Sequence, residues 1–176
     1  LFNKSSFIIQ LLKTEILNNK NLDFKLNINS DNINKIFDLK EIYLISKIQD
    51  SLIDIDDTKF DWKNFANFKL SETLIFVKNG ELILDGKVDI SVNKSNEIYK
   101  YLLTPKKYRK IIKKINLNFS FNFDKKTIDL NNIRIDDKII NSVNEIMSNI
   151  ALKNTNLQNK IYLKKMINNA IKAYVG

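Results

Sequence analysis

The chain has 176 residues, a net charge of +9 from 29 Lys and Arg against 20 Asp and Glu, and neither Cys nor His. That length suits one well-buried core rather than two full domains, and the missing Cys and His remove thiol chemistry, the usual zinc sites and the commonest general base, so an enzyme is not expected. Only Arg109 and Arg134 carry the bidentate fork that readers of bases and phosphates favour, so the excess charge reads as solubilising Lys and no nucleic-acid partner is expected.

Residues 5 to 17 space Phe7, Ile8, Leu11, Leu12 and Ile16 as a short amphipathic helix, within a leading segment of residues 1 to 20. From Leu22 the period becomes two. Phe24, Leu26 and Ile28 alternate with polar neighbours as a half-exposed strand, and Ser30-Asp31-Asn32 suits a turn. Residues 41 to 48 and 51 to 62 read as two further strands. Residues 68 to 77 and 81 to 92 flank Asn79-Gly80, the dipeptide of a type I′ hairpin turn. Within the second arm, Gly86 suggests a bulge, because Val88, Ile90 and Val92 resume alternation at once.

Residues 95 to 115 form a helical insertion. Ile98, Tyr101 and Leu102 suit one helix, Pro105 interrupts it, and Tyr108, Ile111, Ile112 and Ile115 suit a second. The other face of this second helix is basic, with Lys106, Lys107, Arg109, Lys110, Lys113 and Lys114. Next comes the cleanest strand, where Leu117, Phe119, Phe121 and Phe123 alternate with Asn and Ser. Residues 127 to 135 continue the sheet, with Ile128 and Leu130, then Ile133 and Ile135 after Asn131-Asn132. Residues 138 to 176 are helical, with one stripe from Ile139 through Val143 and Met147 to Ile150 and another from Leu163 to Tyr174. The expected fold is mainly β: an open, twisted antiparallel sheet of seven or eight strands with an apolar concave face over residues 22 to 136, flanked by helices at the start, middle and end of one domain.

The order of these pieces resembles the C-terminal region of AsmA-like proteins, the bacterial envelope family that includes TamB-like proteins, in an alphaproteobacterial form. The segments that carry it are Asp85 to Val88, Tyr108-Arg109-Lys110, the strand Asn116 to Phe123, Arg134-Ile135-Asp136 and the closing Tyr174-Val175-Gly176, within a similarity running from about Leu17 to Gly176. The resemblance implies a periplasmic protein, tethered to the inner membrane by an N-terminal helix that these residues do not include, with a part in outer-membrane biogenesis. It also implies phospholipid carried along an apolar β-sheet groove.

On that reading Phe24, Leu26, Ile28, Val88, Ile90, Leu117, Phe119, Phe121 and Phe123 would face acyl chains. Lys106, Lys107, Arg109, Lys110, Lys113 and Lys114 would meet anionic headgroups, each worth about 1 kcal/mol at a charged surface. The plainer alternative is a sheet face covered by the C-terminal helices and a solvated Lys-rich surface, in a module that binds envelope proteins, for instance by adding a strand at a sheet edge. Asp54, Asp56, Asp57 and Asp61 read as a solvated strand face rather than a metal site, Trp62 as a core or rim aromatic, and no cofactor is expected. Periodicity alone does not separate an acyl-facing strand from a helix-covered one, since burying a Phe stabilises by about 1.5–3 kcal/mol in either setting.

Overall fold

The computed structural model describes residue 10 and residues 12–13, 24–33, 39–49, 52–148 and 160–176. Among the described residues nine strands form one sheet in which every pairing is antiparallel: β1 (Phe24–Ile33), β2 (Leu39–Gln49), β3 (Leu52–Asp54), β4 (Lys59–Trp62), β5 (Ala66–Lys78), β6 (Glu81–Val92), β7 (Lys114–Asn122), β8 (Thr127–Ile135) and β9 (Lys138–Ile139). Spatial order follows chain order, with β3 and β4 end to end in one strand position between β2 and β5. The fold is thus mainly β, as alternation predicts. Among the described residues three helices with both bounds in view accompany the sheet: α1 (Ser95–Leu102), α2 (Asn141–Ser148) and α3 (Lys160–Val175).

The Asn79-Gly80 hairpin forms as its residues dictate. Lys78 pairs with Glu81, and both turn residues have positive φ, at 52° and 76°. Several other elements differ from the sequence reading. Ser30 to Asn32 is strand, paired with Ile42 to Lys40. Residues 51 to 62 split into β3 and β4 because Asp56-Asp57 turns the chain: Asp54 Oδ1 accepts the Asp56 N–H at 2.7 Å, and Asp57 has a φ of 59°. The second helix of the insertion does not form. Lys106–Tyr108 is a single 3-10 turn, and the chain then runs extended into β7, where Lys114 pairs with Ser91. Ile139 belongs to β9 rather than to a helix. Of the leading helix, Gln10, Leu12 and Lys13 are described and are helical; its remainder and residues 149–159 lie outside the described residues.

A pleated strand keeps one face apolar only while its alternation is unbroken. Three one-residue bulges reset it. In β5 the register to β6 shifts between Ser71 and Leu74, so that Phe68 and Leu70, then Ile75 and Val77, fall opposite Ile90, Val88, Leu84 and Leu82 on the same face. In β8 the shift lies opposite Asn116 to Asn118, and it brings Ile133 and Ile135 to the face of Ile128 and Leu130. In β2 it falls between Lys40 and Tyr43. A residue with positive φ sits at each: Glu72, Asn132 and Glu41.

Gly86 is not itself bulged, since it pairs regularly with Phe119. The bulge is across from it, in β5, and the glycine is needed for room: a Cβ would lie 2.5 Å from Thr73 Oγ1 and 2.9 Å from Thr73 Cβ. Thr73 is fully buried there, with its N–H donating to Asp56 Oδ1 at 2.5 Å.

The core sits at one end of the apolar face. Tyr99 and Leu102 of α1, Val143 of α2, and Ala170, Ile171 and Tyr174 of α3 close over Ile112, Ile133 and Ile135, with Val92, Ile115 and Leu117 packed against them. From α2, Asn144 reaches the outer edge of β8, accepting the Ile133 N–H at 2.7 Å and donating to the Ile133 carbonyl at 2.9 Å.

Gly86→Ala is expected to destabilise the protein by about 1–3 kcal/mol, the scale of an overpacked site, in urea unfolding. Adding Thr73→Ala should recover only part of this, because the Thr73 Cβ itself stands in the way.

Candidate functional site

Two surfaces bring together most of the residues that the sequence reading singled out. The first is the far end of the apolar face. Register places Ile48, Ile53, Ile75, Leu84, Phe121 and Ile128 side by side across β2, β3, β5, β6, β7 and β8. At the strand spacing of a sheet, this row is about 24 Å long. Phe119 and Phe123 flank it on the same face, and both, like Phe121, are half-buried and stand outside the helix-covered cluster. Leu26 and Ile28 continue the face onto β1, where they are 41% and 42% exposed. The backbone of Phe24 pairs beside Ile48.

Val88 and Ile90 are half-buried between the open row and the helices. Leu117 is packed against the helix-covered core, so its apolar contacts are intramolecular and it is not part of the open surface. Among the described residues α1, α2 and α3 cover the Ile115 to Leu117 end of β7, and Phe119 to Phe123 lie half-buried beyond them. At that end Lys13 Nζ lies 2.5 Å from Asp124 Oδ1, and Asp124 Oδ2 accepts the Leu82 N–H at 2.8 Å; these two donors hold the Asp124 carboxyl below its ordinary range.

The second surface is basic, and its geometry departs from the amphipathic helix expected over 106 to 114. Lys106, Lys107, Lys110 and Lys113 are exposed along the 3-10 turn and the extended chain after it. Arg109 has a structural role, its Nε donating to the Thr104 carbonyl at 2.8 Å. Lys114 lies apart from the others, beside Lys87, Asp89, Asn116 and Arg134 in a groove on the polar face of the sheet. The four Asp residues near β3 and β4 are engaged in turns and pairs. Besides Asp54 and Asp56, Asp57 Oδ1 is 2.9 Å from Lys69 Nζ, which lowers its pKa, and Asp61 Oδ1 accepts from Asn67 Nδ2 at 2.6 Å. Among the described residues no group of carboxylates is placed to hold a metal ion.

Alternation missed two surface residues. Leu103 is 77% exposed and Ile111 71%, each beside a buried twin, Leu102 and Ile112. Doubled apolar residues at the edge of a regular element are the signal, because one face can bury only one of the pair. Trp62 is a rim aromatic, meeting Phe65 and Tyr101 edge-on at 5.3 and 5.2 Å.

Tyr99 anchors the basic segment. Its ring is buried in the core, and its hydroxyl donates to the Lys110 carbonyl. Burial, then the neighbouring Tyr174 and Asp136, push the Tyr99 hydroxyl up to about 12. No family model, curated protein or solved structure matches this chain.

The folded-state pKa of Tyr99 lies above its unfolded value of about 10, so the neutral hydroxyl contributes stability that is complete below pH 10 and falls as pH rises toward 12. Thermal melts across this window should show a steeper decline for the native chain than for Tyr99→Phe. Parallel declines would show that Tyr99 does not carry the effect.

Proposed function

We propose that this chain is a non-enzymatic lipid-handling module of the bacterial envelope, of the AsmA-like kind, whose open apolar sheet face takes phospholipid acyl chains. The observation that carries the reading is the apolar row from Ile48 to Ile128, continued by Leu26 and Ile28 and left outside the helix-covered core. Its length of about 24 Å exceeds the ~15 Å of hydrocarbon in one leaflet. The row itself is half-buried, and its continuation at Leu26 and Ile28, 41% and 42% exposed, is apolar surface of the kind that marks a ligand or partner. The sequence resemblance points the same way and adds a periplasmic setting and a role in outer-membrane biogenesis. The basic segment supports contact with anionic headgroups. No step in this reading makes or breaks a covalent bond.

A second reading is a module that binds envelope proteins and affects outer-membrane protein targeting. Its support is β1, a ten-residue strand at the end of the sheet order in which Lys25 to Asn29 are all exposed.

Protein purified from a bacterial host without detergent should carry phospholipid, seen by mass spectrometry of a solvent extract. Phe121→Ser should lower that lipid about tenfold, the scale of losing one buried Phe. Ile135→Ala, at the covered end, should reduce stability and leave the lipid per folded molecule unchanged. Folded native protein free of lipid would overturn the acyl-chain reading in favour of the protein-binding one.

A further inference from the structure

We infer that the loop 103–113 and α3 together form a docking ridge for an anionic bilayer, with Leu103 and Ile111 entering the interface and the surrounding lysines meeting headgroup phosphates. The inference rests on the lipid reading and adds to it the membrane contact itself and the residues that make it.

The ridge is stitched together along α3. Thr104 Oγ1 meets Asn168 Oδ1 at 2.5 Å, and Asn168 Nδ2 donates to the Leu102 carbonyl at 2.8 Å. One turn on, Lys172 and Lys107 both stand over the Tyr108 ring, at 5.8 and 4.9 Å, and further along Lys110 stands 4.8 Å over Tyr174. The loop thus runs beside α3 from Asn168 to Tyr174, and the cations of both belong to one surface. No carboxylate occurs between Glu97 and Asp124 or from Lys160 to Gly176, while Lys106, Lys107, Lys110, Lys113, Lys164, Lys165 and Lys172 all do. Asp136 is engaged locally, accepting the Lys113 and Lys114 N–H groups at 2.8 and 2.9 Å and the Tyr174 hydroxyl at 3.4 Å, and the exposed acids of the neighbouring elements are Asp137 and Glu145.

Leu103 shows why the partner is a membrane. It ends α1 in the left-handed region, with φ 60°, where its N–H bonds the Lys100 carbonyl at 3.1 Å. Glycine is the usual residue at this place, because a side chain there is strained. A leucine so placed and 77% exposed is unfavourable both in backbone and in water. Local strain combined with exposed apolar surface marks a functional position. Nucleic acid would use the lysines but gain nothing from two aliphatic tips, whereas an anionic bilayer uses both.

The test is sedimentation of the full chain with phosphatidylcholine vesicles, with and without phosphatidylglycerol. The native protein should bind the anionic vesicles at least about tenfold better, and more weakly as salt rises. Leu103→Ser with Ile111→Ser should lose about tenfold or more in affinity, the scale of burying one or two aliphatic side chains. Replacing Lys106, Lys107, Lys110 and Lys113 by Gln should lower the preference for phosphatidylglycerol by about tenfold or more, Lys164, Lys165 and Lys172 remaining. Tryptophan emission of Leu103→Trp should shift to the blue on anionic vesicles. Unchanged binding by the Ser pair, no blue shift, or tighter binding to single-stranded DNA than to vesicles would overturn the inference. Co-purified lipid separates it from the acyl-chain reading: the Ser pair should retain that lipid, and Phe121→Ser should lose it yet still sediment.

Discussion

The constraint on which the molecule depends is parity. In a pleated strand a slip of one residue moves every following side chain to the other face, and β2, β5 and β8 each contain such a slip. The slips are placed where the apolar pattern itself changes phase, so Phe68 and Leu70 share a face with Ile75 and Val77, and Ile128 and Leu130 with Ile133 and Ile135. Without them half of each long strand would present its aliphatics to the polar groove of Lys87, Asp89 and Asn116. The local expense is a positive φ at Glu41, Glu72 and Asn132, and Gly86 contributes by leaving space for the buried Thr73 that the β5 bulge turns inward.

With parity kept, the single apolar face divides its labour by position. The end near Val92, Ile115 and Ile135 is sealed by three helices and supplies the core. The end near Phe121 is held at its margin by the Lys13 to Asp124 pair and the Leu82 N–H. One strand, β7, enters both parts, with Leu117 packed against the helix-covered cluster and Phe119 half-buried beyond it.

Much of this was legible before any coordinates. The hairpin arms at Asn79-Gly80, the strand carrying Phe119 and Phe121, and the phase change at Asn131-Asn132 are local signals, and they hold. What was not legible depends on partners distant in the chain. Gly86 reads as a bulge, yet the extra residue lies in the opposite strand, because a glycine accommodates a neighbour's irregularity as readily as its own. Tyr108, Ile111, Ile112 and Ile115 have helical spacing, but pairing of Lys114 with Ser91 and burial of Ile112 under α1 draw the chain out straight. The same straightening exposes Ile111 and sets Lys114 apart from the other cations, on the polar face of the sheet. For the candidate surfaces, alternation identified the Phe residues of β7 correctly as one face, while Leu103 escaped because its exposure follows from a helix cap.

The amide of Asn144 has a consequence for aggregation. An outer strand normally offers its peptide groups to any other chain in extended form, but at Ile133 both the donor and the acceptor of β8 are already engaged by a side chain carried on α2. That closure lasts only while α2 is docked through Val143. Loss of helix packing and baring of this edge are thus a single event, so the folded molecule resists polymerising along β8, and a partly unfolded one, with its C-terminal helices detached, is the species that would seed it.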